Sequence, residues 1–459
     1  SPVPHQSLRE LARRHCPVML LRLGTAPAVV LSSAEAAREV LRTRDVDCCS
    51  RPVSPGPKRL SYGYKNIAFS PYDDYWREMR KLFLFVVELV SAHRVKAAWR
   101  ARQDQVEILV RSLTRSGTKP VALDDHIFDL ADGIIGTVAF GNIYGTEGFA
   151  YRKYFQHVLD DAMDMMASFS AEDFFPNAAG RLVDRLAGLV ARRERIFHDL
   201  DAFFELMVIE QHLDPARAMP ENGGDLVDAL IGLWKQGRFT RDHVKAILLD
   251  AFLGGIDPSS VTMLWAMSEL IRSPRVMRKV QGEIRAVVGD RDSRVQPDDL
   301  TKLKYLKMVV KETLRLHPPA TLLLPRETMR HVKIGGYDVP AKTRVLVNAW
   351  AIGRDPARWD EPEVFDPDRF EHKDVEFNGA HMELVPFGAG RRICPGLAMG
   401  AATVEFTLAN LLHCFDWALP EGMAAEDVSM EEAGGLTFHR KTPLVLVPTA
   451  HRKPATYAH

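Results

Sequence analysis

One cysteine lies in a setting that could make it a metal ligand. The stretch from Phe387 to Gly396 reads Phe-Gly-Ala-Gly-Arg-Arg-Ile-Cys-Pro-Gly, with Cys394 near its end. Gly390 and Gly396 permit tight backbone turns on either side of the cysteine, so backbone N–H groups can point at its sulfur. Lone buried cysteines are usually small hydrophobic residues. We interpret the other four in that way: Cys16, Cys48, Cys49 and Cys414.

Several arginine and tryptophan side chains are spaced so that they can donate hydrogen bonds to a carboxylate group. Glu312 and Arg315 lie three residues apart on one predicted helix face, where they can pair with each other. Arg369 supplies a second guanidinium downstream. Trp76 and Arg80 lie four residues apart on another predicted helix, and both are pure donors suited to carboxylate acceptors. Taken singly, each of these features is also typical of surface arginines and core tryptophans.

A long apolar segment is interrupted by residues that could do proton chemistry. Residues 243–272 predict a helix that is apolar on almost every side, which indicates burial through the centre of the protein. Gly254, Gly255, Asp257, Pro258 and Ser259 lie in its middle. Proline lacks an N–H and clashes with the carbonyl four residues earlier, so we expect a kink here. A helix end or a loop is the alternative interpretation.

The elements that must hold these residues are mostly helical. Helix-period patterns dominate at 8–14, 34–42, 183–207, 243–272 and 303–317. Strand-like stretches are short and few, at 18–23, 28–31, 332–334, 344–349 and 444–448. The breaker cluster at 215–224 predicts a mobile surface loop, and 318–396 a long irregular segment. This pattern predicts a mainly α protein with small β-sheets, forming a single domain over 1–459.

Composition excludes several classes of protein. The 459 residues are 46% hydrophobic and 26% charged, which is typical of a globular chain with a large core. The formal net charge of zero provides no field over the whole molecule for nucleic acid, so we expect none as a partner. Five scattered cysteines do not predict a disulfide framework, which indicates a reducing, cytosol-facing environment. We identify no apolar run of the roughly 18 residues needed to span a bilayer, so the numbered chain is expected to be soluble.

The cysteine stretch resembles the haem loop of the cytochrome P-450 superfamily. The pattern Phe-x-x-Gly-x-Arg-x-Cys-x-Gly matches at every position, namely Phe387, Gly390, Arg392, Cys394 and Gly396. The resemblance extends over 8–448 and is strongest to plant microsomal members, in particular grass members that metabolise aldoximes in cyanogenic glucoside synthesis. It implies the cytochrome P-450 fold, with haem b (iron protoporphyrin IX) and Cys394 as the axial ligand of the iron. An anionic sulfur donates electron density through iron and favours splitting of the O–O bond.

The resemblance also implies roles for the other residues. Trp76, Arg80, Arg326 and Arg392 would meet the haem propionates. Glu312, Arg315 and Arg369 would form a buried triad that locks the haem loop to the core. The substrate pocket would be walled by six residues: Phe69, Met166, Leu253, Ala320, Leu323 and Phe438. Each of these six is also compatible with ordinary core packing.

The interrupted helix resembles the oxygen-binding kink of the superfamily, with one departure. There, Gly254, Gly255, Asp257 and Ser259 match, whereas Pro258 stands where the family has a threonine that guides protons to bound dioxygen. Asp257 and Ser259, or a water held by the freed Gly254 carbonyl, are candidates for relaying protons instead. The departure leads to the hypothesis that nitrile formation is retained while hydroxylation is weak or uncoupled.

The implied function is that of an oxidoreductase acting on an aldoxime. It would dehydrate the aldoxime to a nitrile and hydroxylate that to a hydroxynitrile, with electrons from an NADPH-cytochrome P-450 reductase. Three alternatives stay open: a haem-dependent aldoxime dehydratase with little hydroxylase activity, a monooxygenase of another hydrophobic plant metabolite, and a non-catalytic haem carrier or sensor. The plant members that it resembles carry an N-terminal membrane anchor, and a chain that starts at Ser1 without an initial Met would have lost it, so the resemblance implies the cytosolic face of the endoplasmic reticulum. Arg391 and Lys81 are candidate docking charges for the reductase.

Overall fold

A computed structural model describes residues 3–88, 91–141, 152–215, 217, 224–289, 291 and 294–451. Most of the predicted loop at 215–224 lies outside the described residues. Helices form most of the chain in this part, as the sequence patterns predicted. The α-helices are α1 (Pro4–Arg14), α2 (Ala34–Arg38), α3 (Asp45–Cys48), α4 (Pro55–Leu60), α5 (Asp74–Glu88), α6 (Ser91–Ser116), α7 (Leu123–Phe140), α8 (Arg152–Ala167), α9 (Ala171–Phe174), α10 (Ala178–Leu186), α11 (Leu189–Ala202), α12 (Glu210–Leu213), α13 (Leu226–Lys235), α14 (Arg241–Gly255), α15 (Asp257–Arg272), α16 (Pro274–Val288), α17 (Lys304–Leu316), α18 (Ala349–Ile352) and α19 (Leu397–Cys414).

The strands form small sheets beside the helices. They are β1 (Val18–Leu23), β2 (Ala26–Leu31), β3 (Val121–Ala122), β4 (Arg326–Glu327), β5 (Val332–Ile334), β6 (Tyr337–Val339), β7 (Arg344–Val347), β8 (Phe415–Ala418), β9 (Glu432–Gly434), β10 (Phe438–Arg440) and β11 (Val445–Ala450). The largest sheet has the order β1-β2-β7-β4, with β2 and β7 parallel and the other two pairs antiparallel. Strands β9 and β10 form a separate antiparallel hairpin. The fold is therefore mainly α with small β-sheets, as expected.

Helices α14 and α15 run through the centre of the protein. Side chains of α15 between Ser259 and Leu270 are buried, and α15 packs against α7, α17 and α19. Helix α14 belongs to a second core cluster, together with residues of α8, α11 and α13. The almost continuous apolar character of 243–272 is thus explained by packing on all sides.

The predicted central helix is two helices rather than one kinked helix. Helix α14 ends at Gly255 and α15 begins at Asp257, with Pro258 in its first turn. Because proline has no N–H, it cannot continue the hydrogen-bond ladder to the carbonyl of Gly254. The ladder restarts where the Ser260 N–H donates to the Ile256 carbonyl at 3.0 Å.

The helix predicted over 183–207 is also divided. Helix α10 ends at Leu186, and α11 starts after Gly188, which has a φ of +74°. Only glycine adopts such a left-handed conformation without steric cost, so it separates two helices that share one periodic pattern. The segment Phe203–Ile209 then continues as a π-helix.

Two further expectations from the sequence need correction. Within the described residues, two helical stretches are long and apolar enough to cross a membrane, Arg241–Arg272 and Leu397–Cys414, whereas we expected none. Much of each stretch is buried inside the protein, which explains its apolar character without a bilayer. Cys48 and Cys49 are buried as predicted, but Cys16 and Cys414 are only partly buried.

Candidate functional site

The loop around Cys394 is held in one conformation by its own backbone. The Cys394 N–H donates to the Phe387 carbonyl at 3.0 Å, which closes the loop. Gly390 has a φ of +69°, and a Cβ atom there would lie 2.2 Å from the Leu41 carbonyl oxygen, so no other residue fits. Gly396 differs from the expectation, because its φ of −90° is accessible to any residue. It precedes α19, and a Cβ atom at Gly396 would meet the Cys394 sulfur at 3.9 Å.

The environment of the Cys394 sulfur has opposing effects on its charge. Burial raises the pKa of the thiol, whereas a hydrogen bond from the Gly396 N–H and the positive charge of Arg80 lower it. The net direction is upward, so the protein alone does not keep this sulfur ionised. A metal ion bound to the sulfur would deprotonate it, and the N–H donor would then stabilise the thiolate.

Arginines surround the loop, although their described partners are mostly backbone carbonyls. Arg80 donates from Nη2 to the Ile393 carbonyl at 2.7 Å. Arg392 lies over the Trp76 ring at 4.1 Å and donates to the carbonyl of Ser70 at 2.7 Å. A guanidinium is a pure donor with five N–H groups, so both arginines are of the type that binds a carboxylate.

The contact of Trp76 with a haem propionate stays a prediction, and its indole N–H has a backbone partner in this structure. Its Nε1 donates to the Ile67 carbonyl at 3.0 Å in a buried setting. The indole has one donor, and a buried carbonyl needs a partner, so the backbone takes this donor. In this structure Trp76 packs beneath Arg392 and anchors the segment before α5.

Asp45 is a residue of this site that the sequence analysis missed. Its carboxylate accepts from Arg326 Nη1 at 2.8 Å and from the N–H and Nη1 of Arg391 at 3.0 and 2.9 Å. Arg326 also donates to the Ala389 carbonyl at 2.7 Å. Asp45 is buried and thus joins α3 to β4 and to the cysteine loop. Its position long before the loop in the sequence offered no local signal.

Glu312, Arg315 and Arg369 are in contact, as the resemblance implied. Arg315 donates from Nε and Nη2 to the Glu312 carboxylate at 2.7 and 2.8 Å, and Arg369 Nε donates to it at 3.0 Å. The side chains of Glu312 and Arg315 are fully buried. The described contacts of Arg315 continue to the carbonyls of Gly353 and Val364 and do not reach 387–396 directly. The triad therefore ties α17 to the irregular segment that precedes the loop.

The break between α14 and α15 lies across from the start of α19. A Cβ atom at Gly400 of α19 would lie 3.9 Å from the Ser259 hydroxyl oxygen. Gly254 is exposed although buried residues flank it on both sides of the break, so it faces an internal space. A Cβ atom at Gly254 would meet nothing within 4 Å.

This space and its lining suit a haem group. The soft thiol of Cys394 is the kind of ligand that iron in haem proteins accepts, and open space adjoins Gly254. Arg80, Arg326 and Arg392 carry the positive charge that two propionates need. The residues present therefore fit haem, with Cys394 as the ligand.

The other predicted catalytic residues have different surroundings. The Asp257 carboxylate accepts a hydrogen bond from the Thr437 hydroxyl, and burial raises the pKa of Asp257. The Pro258 carbonyl accepts from the Thr262 hydroxyl at 2.7 Å. Ser259 is buried and lies toward α19. Sequence reasoning missed Thr437, because it is distant in the chain from Asp257.

A cavity of about 240 Å³ includes four of the six predicted pocket residues. Phe69, Met166, Leu323 and Phe438 line it. Leu253 and Ala320 are not among its lining residues, and Leu253 is buried in the core cluster beside α8 and α11. The lining also includes Arg51, Asp173 and Arg344, so the wall carries charged side chains that are absent from the six predicted residues.

Two buried charged residues that the sequence analysis did not identify, Asp250 and Arg51, stabilise one wall of this cavity. Asp250 accepts hydrogen bonds from Asn66 Nδ2 and from the Ile67 N–H, both at 2.8 Å, and from the Ala68 N–H at 3.1 Å. Burial raises the pKa of Asp250 to about 6. Arg51 Nε donates to the Ala68 carbonyl at 2.9 Å. Together they fix the chain just before Phe69.

The fold is mainly helical, and arginines surround the Cys394 loop, with a broken central helix across from it. This arrangement is typical of haem-thiolate proteins. The family model of cytochrome P-450 matches residues 2–447, and the chain belongs to this family. Bound haem would supply iron that binds and activates dioxygen, and a thiolate ligand from Cys394 would favour O–O cleavage. The protein is therefore a monooxygenase-type enzyme that holds haem and takes electrons from an NADPH-driven reductase.

Two characterised relatives share most of the chain. It is 68% identical to 4-hydroxyphenylacetaldehyde oxime monooxygenase of Sorghum bicolor over 98% of this chain and 86% of the relative. It is 50% identical to 2-methylbutanal oxime monooxygenase of Manihot esculenta over 98% of this chain and 88% of that relative. A zebrafish cytochrome P-450 solved with abiraterone has a TM-score of 0.82 at 24% identity, covering 99% of this chain and 100% of that one. This last likeness shows the fold alone.

Proposed function

We propose that the protein dehydrates an aldoxime to a nitrile and then hydroxylates the adjacent carbon to a hydroxynitrile. The observation that carries this proposal is the 68% identity, over 98% of the chain, to an oxime monooxygenase. A second oxime monooxygenase at 50% identity supports the same class of substrate. Aromatic and aliphatic side chains in the cavity, such as Phe69, Leu323 and Phe438, suit the hydrocarbon part of an aldoxime.

The break in the central helix should affect the two steps of the proposed reaction differently. Dehydration moves protons without net oxidation, whereas hydroxylation needs protons delivered to dioxygen. Pro258 lacks the hydroxyl that serves this delivery in the family, and the Ser259 hydroxyl lies toward α19. We therefore propose that nitrile formation is the efficient step and that hydroxylation is weak or partly uncoupled to peroxide.

Incubation with 4-hydroxyphenylacetaldehyde oxime, reductase and NADPH tests this proposal with and without oxygen. We expect nitrile at similar rates in both conditions, because dehydration consumes no oxygen. Hydroxynitrile is expected only with oxygen, accompanied by peroxide in comparable amounts. Efficient hydroxynitrile formation with little peroxide would refute weak hydroxylation, and the absence of nitrile without oxygen would refute dehydration as a separate step.

We also propose that Lys81 contributes to reductase docking. Lys81 is exposed on α5, one residue after Arg80, which holds the cysteine loop. Arg391 is the weaker candidate, because its guanidinium is paired with Asp45. Since exposed charges mainly affect association, Lys81→Glu should slow reduction about threefold at low salt. The difference between the reduction rates of the variant and the wild type should disappear near 0.5 M salt, where the Debye length is only about 4 Å.

The matched control for this experiment is Lys333→Glu, because Lys333 is an exposed lysine on β5. Stopped-flow reduction of both variants at several salt concentrations measures the effect. Equal reduction rates for Lys81→Glu and Lys333→Glu at low salt would contradict a docking role of Lys81.

We propose that the enzyme acts at the cytosolic face of the endoplasmic reticulum. Support comes from the plant origin of its relatives and from the reductase partner that the family uses. Fractionation of plant cells that express the protein should recover it with microsomal membranes, and recovery in the soluble fraction alone would contradict this proposal.

A further inference from the structure

One polar contact joins the broken central helix to a distant hairpin. Asp257 is the first residue of α15, and Thr437 lies in the turn between β9 and β10. The Thr437 hydroxyl donates to the Asp257 carboxylate. Thr437 is buried, so its hydroxyl reaches this carboxylate away from bulk water. The contact places an alcohol beside the acid of the helix break, although Pro258 removes the alcohol that would follow Asp257 in the chain.

Thr437 is held firmly in this position by its neighbour. The Phe438 N–H donates to the Pro319 carbonyl at 2.9 Å, and the Phe438 carbonyl accepts from Trp265 Nε1 at 3.2 Å. Both backbone groups of Phe438 are therefore fixed, one by the chain after α17 and one by α15. Because the hairpin is anchored on both sides, the Thr437 hydroxyl is pre-organised toward Asp257 rather than free to rotate away.

The contact lies at the edge of the proposed substrate cavity. Leu436 and Phe438, on either side of Thr437, line this cavity. Gly254, one helical turn before Asp257, faces open internal space. A substrate that binds against Leu436 and Phe438 would contact the two residues that flank Thr437.

Charged groups from two other elements act on the same carboxyl group. Burial raises the pKa of Asp257, whereas the Thr437 hydrogen bond and the nearby His439 lower it. Asp160 of α8 also acts on this region, since the charge of Asp257 raises the pKa of Asp160. His439 and Asp160 are both exposed. The net shift of the Asp257 pKa is upward, so this carboxyl group holds its proton more tightly than an ordinary aspartate.

We infer that Asp257 is the proton donor for the departing oxime hydroxyl and that Thr437 is its positioning residue, in place of the alcohol missing at position 258. This inference rests on the proposed dehydration. The N–O bond of R–CH=N–OH breaks, and its oxygen takes the proton of Asp257 and leaves as water. The C–H proton is lost to the carboxylate, which restores the acid, and the C=N bond becomes C≡N. The reaction is redox-neutral and balances as aldoxime to nitrile plus water.

The chemistry explains why both partners are needed. An acid must give up its proton during the step, and the carboxylate that remains needs a donor in a dry setting. The Thr437 hydroxyl is that donor. A charge-assisted hydrogen bond of this kind is worth about tenfold in an equilibrium constant. Without the Thr437 hydroxyl, the Asp257 carboxyl group would release its proton less readily. Without Asp257, the Thr437 hydroxyl would have no acid to orient.

Three variants test the inference by oxygen-free nitrile formation from 4-hydroxyphenylacetaldehyde oxime. Asp257→Asn should lose about 100-fold in rate, as expected for removal of a general acid. Thr437→Val, which keeps the shape without the hydroxyl, should lose about tenfold. Thr437→Ser should restore most of the rate. The matched control is Thr114→Val on α6. Among the described contacts, the Thr114 hydroxyl donates only to the Val110 carbonyl of its own helix. This control variant should form nitrile at the wild-type rate.

A second measurement does not depend on turnover. Infrared difference spectra against pH follow the carbonyl stretch of protonated Asp257, assigned by its loss in Asp257→Asn. In Thr437→Val the midpoint should move to higher pH, because the hydrogen bond that lowers the pKa is removed. The pH at which the nitrile rate declines should move in the same direction.

The outcomes separate this inference from the proposed function. If the wild type forms no nitrile, the proposed dehydration fails and the role of Asp257 as proton donor fails with it, while the infrared midpoint still shows whether Thr437 donates to Asp257. If the wild type forms nitrile while Thr437→Val keeps its rate and its midpoint, the inference is overturned. Equal losses in Thr437→Val and Thr437→Ser would also overturn it, because the hydroxyl would then have no specific role.

Discussion

Cys394→Ser is expected to abolish the thiolate signature and the activity of this enzyme together. In the wild type, the reduced protein with carbon monoxide should show the red-shifted absorption band that thiolate ligation produces. Serine keeps the size of the side chain but offers an oxygen, which lacks the electron donation of an anionic sulfur. The Gly396 N–H that stabilises the sulfur would then have a weaker acceptor. We expect the band to vanish and product formation to fall below detection.

The matched control is Cys414→Ser. Cys414 is only partly buried at the end of α19, and its sulfur accepts from Arg294 at 3.6 Å, outside the cysteine loop. This variant should keep both the spectrum and the activity. A retained red-shifted band in Cys394→Ser, or its loss in Cys414→Ser, would show that the ligand has been assigned to the wrong cysteine.

Glu312→Ala is expected to prevent folding and haem incorporation. Glu312 is fully buried and accepts from Arg315, from Arg369 and from the Asp366 N–H at 2.8 Å. Its removal leaves the fully buried guanidinium of Arg315 without its counterion. Breaking a buried pair in this way costs about 3–5 kcal/mol. Since a folded protein is stable by only about 5–15 kcal/mol, we expect little soluble, haem-loaded protein.

Denaturant unfolding and the ratio of haem to protein measure this effect. Glu371→Ala is the control, because Glu371 is exposed close to Arg369 in the same segment and should behave like the wild type. Glu312→Gln, which keeps the size and one acceptor oxygen, should lie between the two. Normal haem content in Glu312→Ala, with an unfolding free energy within about 1 kcal/mol of the wild type, would contradict the structural role of the triad.

Local patterns in the sequence were sufficient for the cysteine loop and for much of the secondary structure. Strands β1 and β5 begin and end where the apolar runs predicted, because a short strand is specified by its own residues. Glu312 and Arg315 are in contact because three residues on a helix bring side chains to one face. The helices at 183–207 and 243–272 were predicted too long, because hydrophobic periodicity continues through a break.

The residues that the sequence did not reveal are those whose partners come from distant elements. Asp45 binds Arg326, and Asp250 binds the chain at 66–68; both contacts depend on how the sheet and the central helix pack in the folded protein. The backbone partner of the Trp76 indole N–H, the Ile67 carbonyl, was likewise not predicted. Such outcomes depend on which buried groups still need a partner, which no local pattern records.

The Glu312–Arg315 pair and the mainly helical architecture were determined by the sequence itself, because each depends on residue types at close spacing. The assignment of Cys394 as a ligand and the inclusion of Arg369 in the triad came from the resemblance to the cytochrome P-450 family. The sequence also determined that Pro258 removes an alcohol from the broken helix. Only the tertiary structure decided that Thr437 brings another alcohol to Asp257. These two residues lie far apart in the chain, and their contact exists because the β9–β10 hairpin is anchored against α15 by Trp265.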